Sequence, residues 1–421
     1  MRRILCLALL IAGNVCAQTY DTNNIVVQTF AGSGFSGWLD GVGTQTMFSG
    51  PSSVVADTQG NLFVFDSGNK RIRKITPDGT VSTFAGGGVG ALPGYGTNVS
   101  LPDLGSDSMA IDHSNTLWIV AYVCCPSYLV RIGSDAYVSI VNLDITNSFS
   151  YNRSMGICVD SRNNIYISDS LEYNSGNKIY RLRTNGVLEV FAGSGNQGSV
   201  DGNGIFSSFY SPRTLTADAA DNIYVWDSYN YIIRRINQNR DVVTIAGKNG
   251  VSSQSDGFGT NASFSINSIA SMCVDGSGNV ILACGSSIRK ITPSTNVLTM
   301  AGSFTQTGYA NGAGSVARFR NAAGVCVSQG MIFVADSIDH RIRNLTFNPA
   351  PQAVSGANLN LNTYPGLRIT GVVGRSYRIE SSADTTNWNT ETTILLTSSP
   401  YLWIDPNPLG QKKFYRAFLL P

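Results

Sequence analysis

From residue 24 onward, apolar residues come in short runs bounded by Gly, Asn, Asp, Ser and Pro. The runs are rich in β-branched and aromatic residues and lack a 3.6-residue period, so they predict strands joined by turns. One stretch shows the full plan. An apolar run reaches Asp57, and a Gln59-Gly60-Asn61 turn leads to Leu62-Phe63-Val64-Phe65-Asp66. A polar Ser67-Gly68-Asn69 turn leads to Arg71-Ile72-Arg73-Lys74-Ile75, and Pro77-Asp78-Gly79 leads to a last run ending Thr83-Phe84-Ala85-Gly86. That is four short strands. The plan returns at Asp160 to Asp169 and Asp218 to Asp227, and in weaker form at Asp112, Asp275 and Ile332 to Asp336. The anchors Leu62, Leu117, Ile165, Ile223, Val280 and Ile332 lie 48 to 58 residues apart. Six copies of four strands predict an all-β fold, a six-bladed β-propeller over residues 24–346. The sixth copy lacks its fourth strand, and Ile25 to Gly32 offers an orphan one. The N-terminal strand is therefore expected to close the ring and hide both sheet edges.

The recurring Gly-Asn-aliphatic-aromatic-Val-x-Asp, Arg-Ile-Arg-Lys-Ile and Thr-Phe-Ala-Gly segments resemble the NHL repeat. Copies one, three, four and six match well; copy two is degenerate, and copy five has Cys284 in place of its second Asp. The resemblance implies the propeller fold. It leaves function open, because such folds host many activities.

The second Asp of the repeat ends strand two, and an Arg follows on strand three. Asp66 with Arg73, Asp227 with Arg234 and Asp336 with Arg343 are expected to pair as structural elements of the repeat. Copy two has Ala121 and Val130 at these places, so both partners vanish together, whereas copy three keeps Asp169 opposite Tyr180. A ligand-binding ring of carboxylates is the alternative. Cys158, Cys273 and Cys326 share one position on the innermost strand with Val55, Ala110 and Thr216. Equivalent positions on separate blades are too far apart for a disulfide, so buried free thiols are expected. Cys124-Cys125 is either a vicinal disulfide or a reduced pair.

The links between copies share a second motif. Asp40-Gly-Val-Gly precedes Phe48, Asp201-Gly-Asn-Gly precedes Phe209, Asp256-Gly-Phe-Gly precedes Phe264 and Asn311-Gly-Ala-Gly precedes Phe319. Pro93-Gly-Tyr-Gly before Leu101 keeps the spacing without the Asp. The Asp is expected to bond local amides in a tight turn, with the Phe plugging the groove between blades. The alternative is Ca²⁺ binding, for which one carboxylate per loop is thin. These links and the strand two–three loops are expected on one face. That face would carry the ligand-contact candidates Trp38, Tyr95, Tyr173, Tyr229, Tyr231 and Tyr309, together with Phe35, Tyr122 and Phe258. Rich in aromatics, Gly, Ser and Asn, it suits contact with a protein or a polysaccharide.

The chain ends carry their own signals. Met1-Arg2-Arg3, an apolar run from Ile4 to Ala12 and Val15-Cys16-Ala17 read as a signal peptide at 1–17, cleaved after Ala17. A secreted, periplasmic or cell-surface location is expected, with no transmembrane segment. Asn348-Pro349-Ala350-Pro351 sits in a linker at 347–354. Residues 355–421 lack the repeat; strands are expected at 359–370, 376–381, 392–396 and 414–419. Gly374 to Ser382, Trp388 and Phe414-Tyr415-Arg416 resemble small C-terminal β-sandwich modules of secreted bacterial proteins.

Composition narrows the function. The chain has 29 Lys+Arg and 27 Asp+Glu, and losing Arg2 and Arg3 leaves it neutral. A neutral exported chain does not fit nucleic-acid binding. Only two histidines occur, His113 and His340, expected on opposite faces. A non-catalytic binding or scaffold protein without cofactor, and monomeric, is the first expectation. The alternative is a calcium-dependent lactonase or hydrolase, an activity found among six-bladed relatives. Those relatives use channel carboxylates or several histidines, and neither pattern maps onto residues here.

Overall fold

The computed structural model describes residues 24–102, 108–121, 128–143, 156–170, 176–265, 269–347, 366–369, 371–397, 401–404 and 414–420. Two compact units emerge, Met1–Asn348 and Pro349–Pro421. In the first, six antiparallel sheets follow one another in chain order. Their inner strands are Pro51–Ala56, Met109–Ile111, Ile157–Val159, Pro212–Ala217, Ser271–Val274 and Ala322–Ser328. Each packs beside the next, and the last packs beside the first, so the ring is closed and the unit is a β-propeller. Closure is made by the N-terminal strand Ile25–Ala31. It pairs with Arg341–Phe347 in the sixth sheet, with Val27 opposite Leu345.

The first five repeats form four strands each and the sixth forms three, completed by Ile25–Ala31 as expected, but five sheets contain a fifth strand. Gly41–Val42, Gly94–Tyr95, Gly202–Asn203, Gly257–Phe258 and Gly312–Ala313 add to the outermost strand of the sheet that their link enters. The third sheet shows four strands among the described residues. The second glycine of this motif has φ of 51–56° at Gly43, Gly96, Gly204 and Gly259, a left-handed conformation that excludes most side chains. After it the chain turns inward and buries Phe48, Phe209, Phe264 or Phe319 completely. Phe48 packs against Ala31 and Ile342 of the sixth sheet and Val54 and Val64 of the first, so it plugs the groove between sheets.

In the second unit, Ser376–Ser382 lies between Asn389–Leu395 and Phe414–Leu419. A separate pair joins Gly366–Ile369 to Tyr401–Ile404, a strand absent from the sequence expectation. Ile369, Tyr377, Ile379 and Leu396 form its small core. The expected signal peptide, Tyr122, Tyr173 and Cys124-Cys125 lie outside the described residues.

Candidate functional site

Four arginines are buried at one repeat position, Arg73, Arg234, Arg289 and Arg343. Arg73 Nη1 donates to Asp66 at 3.0 Å, and the same bond recurs from Arg234 to Asp227 and from Arg343 to Asp336. Each guanidinium also reaches the incoming link. Arg73 donates to the carbonyls of Met47 and Leu39 and, at 2.6 Å, to Asp40 Oδ1. Arg234 treats Ser208, Val200 and Asp201 identically. The plug ring lies against the guanidinium, with Phe48 5.1 Å from Arg73 and Phe209 5.0 Å from Arg234.

This corrects the expected role of the link Asp. It does not bond local amides. Asp40 also accepts from Thr83 N and Thr83 Oγ1 on the outermost strand, and Asp201 accepts from the same groups of Thr244. The reason is the arginine. A buried guanidinium with five N–H donors must find acceptors, and the link supplies them. The Asp–Arg pattern of the sequence does not reveal Arg289, because Cys284 replaces its strand-two partner. It keeps the link half of the clamp, donating to Asp256 at 2.9 Å. Arg343 uses Asn311 there instead, at 2.8 Å. Burial pushes Asp227 up to about 7 and Asp336 up to about 6, while bonds from Arg234 and Asn230 pull Asp227 the other way.

At the end of five outer strands the repeated glycine also has a geometric cause. A Cβ on Gly32, Gly86, Gly193, Gly247 or Gly302 would lie 2.3–2.6 Å from the carbonyl oxygen of the strand two–three loop, at a φ of 86–99°.

The aromatic candidates separate into two groups. Trp38 is 61% exposed beside the strand two–three loop of the first sheet, where Asn69 Nδ2 donates to Gly37 O. Phe35 at 73% and Leu39 at 51% flank it. Tyr309 occupies the matching place in the link entering the sixth sheet. Its hydroxyl meets Thr29 Oγ1 at 2.8 Å. Tyr229 stacks on Tyr210 with centroids 4.8 Å apart, and Tyr231 is half-buried with φ 59°. Tyr95 and Phe258 are corrections. They lie in the added fifth strands, opposite Tyr137 and Asn296, the first residues of their outermost strands. That is the end at the strand three–four turns, away from the loop face. The link runs down the outer edge before it plugs the groove, which sequence spacing alone does not reveal. His113 sits in a strand one–two turn, and His340 Nδ1 accepts from Gly50 N in a strand two–three loop, at opposite strand ends.

The inner strands enclose a central channel of about 230 Å³. Its lining joins Val, Ile, Leu, Met and Ala to Ser53, Ser108, Thr214, Thr216 and Ser271 and the thiols of Cys158, Cys273 and Cys326. All three are free, and burial pushes each thiol well above its usual range. Calcium takes six to eight oxygens, mostly carboxylate and carbonyl. Thiols, methyls and scattered hydroxyls do not fit it. The link carboxylates do not fit it either, since each is already held by a guanidinium.

No known family model matches the chain, and no curated protein matches it. Solved structures do. A protein of unknown function from Bacteroides thetaiotaomicron is 17% identical, with 76% of each chain covered and a TM-score of 0.59. An auxiliary nutrient binding protein from the same organism is 16% identical, covering 77% of this chain and 76% of its own, with a TM-score of 0.57. Another from Bacteroides ovatus is 14% identical, with 77% of each chain covered and the same TM-score of 0.57. At such identities the likeness is one of fold.

Among the described residues, no three His, Cys, Asp or Glu side chains are grouped to hold a metal ion. A charge cluster lies on the third sheet, where Arg181, Arg183 and Arg240 surround Glu189. Although partial burial raises it, bonds from Arg183 and Arg181 hold Glu189 down to about 2. This is an ion-pair network between neighbouring sheets, since Arg240 belongs to the fourth repeat. Among the described residues, the loop face presents the exposed side chains of Phe35, Trp38 and Leu39.

Proposed function

We propose that the chain is an exported NHL-type, six-bladed propeller that works without catalysis, as a binding protein presenting its loop-rich face to a polysaccharide or protein ligand. The observation that carries this reading is the exposed run of Phe35, Trp38 and Leu39, held on a frame of buried arginine clamps. Anchored aromatics on rigid loops bind with little ordering cost. The channel lining supports the same reading, since among the described residues it offers no carboxylate, imidazole or amine for proton transfer. Two of the structural neighbours are nutrient-binding proteins on this fold, and exposure outside the cytoplasm suits such a role.

Thermal melts of the purified chain in EDTA and in millimolar Ca²⁺ test it against the calcium-hydrolase reading. Saturation at about 100 times the dissociation constant adds about 2.7 kcal/mol, a shift of several degrees at this size. The expected result is coincident melts. A clear upward shift in Ca²⁺ would favour the hydrolase and move the work to lactone substrates.

A further inference from the structure

Strand three begins with Arg71 in the first sheet and Arg341 in the sixth, against Tyr128, Lys178, Ile232 and Ser287 in the others. The same two sheets receive links with an aromatic residue two positions before the motif Asp or Asn, Trp38 and Tyr309. The other described links have Ala91, Ser199 and Gln254 there. Arginine and ring meet. Arg71 Cζ is 4.4 Å from the Trp38 ring and Arg341 Cζ is 4.0 Å from the Tyr309 ring. The first and sixth sheets are neighbours, because the ring closes between them. Arg341 donates to Ser33 O at 2.8 Å, inside the link that carries Phe35 and Trp38. Both cations therefore border one patch.

Among the described residues, nothing neutralises their charges. Arg71 bonds the Asn69 carbonyl and Arg341 the carbonyls of Asp339 and Ser33. Among the described residues no carboxylate lies within ion-pair distance of either, whereas Arg320 nearby is paired with Asp339 at 3.2 Å. Between them lie short hydroxyl and amide groups, Ser36 bonded to Ser49 at 2.9 Å and Asn69.

We propose that this patch binds an acidic polysaccharide, with Trp38 as the platform for a sugar ring and Arg71 and Arg341 pairing its carboxylate or sulfate groups. The proposal rests on the binding reading above and names its ligand class. A stacked guanidinium is held in place for bidentate pairing with the oxygens of a carboxylate or sulfate. The small polar neighbours suit sugar hydroxyls better than the apolar side chains of a protein hot spot.

The test is affinity electrophoresis of the full chain in gels holding polygalacturonate, a sulfated galactan, a neutral β-glucan or poly-glutamate. Retardation by polygalacturonate or the sulfated galactan is expected, and which of the two identifies the anion. Arg71→Met and Arg341→Met should each weaken binding about tenfold or more, the loss of a charge-assisted contact, and Trp38→Ala, which removes the stacking platform, should weaken it too. Arg235→Met, an exposed cation on another sheet, controls for net charge. Equal retardation by the neutral glucan, or Arg71→Met and Arg341→Met that bind as wild type does, would overturn the anionic site and leave glycan binding standing. Retardation by poly-glutamate alone would overturn it in favour of a protein ligand. No retardation in any gel would overturn the acidic-polysaccharide site and leave the binding reading resting on a protein ligand.

Discussion

At the residue scale, four buried arginines organise the propeller. Arg73, Arg234 and Arg343 each answer two chain segments at once, the strand-two Asp and the link that follows the preceding sheet, while Arg289 answers the link alone. Arg234 has both carboxylates, Asp227 and Asp201. Replacing it with Met leaves Asp227 buried without its cation, which costs about 3–5 kcal/mol. Arg289→Met should cost less in chemical denaturation, because its strand-two partner is Cys284 and its link Asp is half-exposed. Equal losses would show that the link half alone sets the cost. Asp227 also predicts a pH dependence. Its folded pKa is raised by burial to about 7, above its unfolded value. It therefore contributes most at low pH, and that contribution is lost as pH rises from about 4 through 7. The stability of wild type relative to Asp227→Asn should fall across this window in melts at constant ionic strength. A flat difference would mean that the Arg234 pairing has cancelled the burial effect.

At the element scale, the link motif is a unit with three tasks. It adds a fifth strand to the outer edge of a sheet, feeds acceptors to the arginine and drives a Phe between sheets. The glycine that ends the preceding strand lets the chain pass the strand two–three loop. Gly247→Ala would place a Cβ 2.3 Å from Tyr231 O at φ +95° and should cost about 1–3 kcal/mol. Gly250→Ala is the control, with φ +74° but nothing within 4 Å. Calorimetric melts in which Gly250→Ala lost as much as Gly247→Ala would assign the cost to φ alone. Four strands per copy were legible from alternation and turn residues. The fifth was not, because two residues carry no period and the pairing is with a strand some 40 positions further on.

At the whole-molecule scale, closure joins residues more than 300 positions apart, Ile25 and Phe347 among them. Removing the chain through Ala31 strips the sixth sheet of its outer strand and uncovers two strand edges. Such a truncation should aggregate on size exclusion, while the chain beginning at Gln18 stays discrete. A discrete, equally stable truncation would mean that the interlocked grooves suffice to hold the ring. The closure also makes the proposed site, since it brings Arg341 from the end of the ring to the link that carries Trp38.

By itself the sequence determined the strand content, the six copies, the closing strand and the Asp–Arg pairs. These follow from short-range rules, alternation, turn chemistry and a repeat that can be counted. Only the tertiary structure decided where the link carboxylates go, which rings face the loops and which cations lack a carboxylate among the described residues. Tyr95 and Trp38 look alike in a string, yet one lies in an edge strand and the other stands over Arg71. The difference comes from the path of the link around its sheet. That path is set by what a buried guanidinium must bond and by which groove a Phe must fill. Both are demands made by residues distant in the chain, so no local pattern records them.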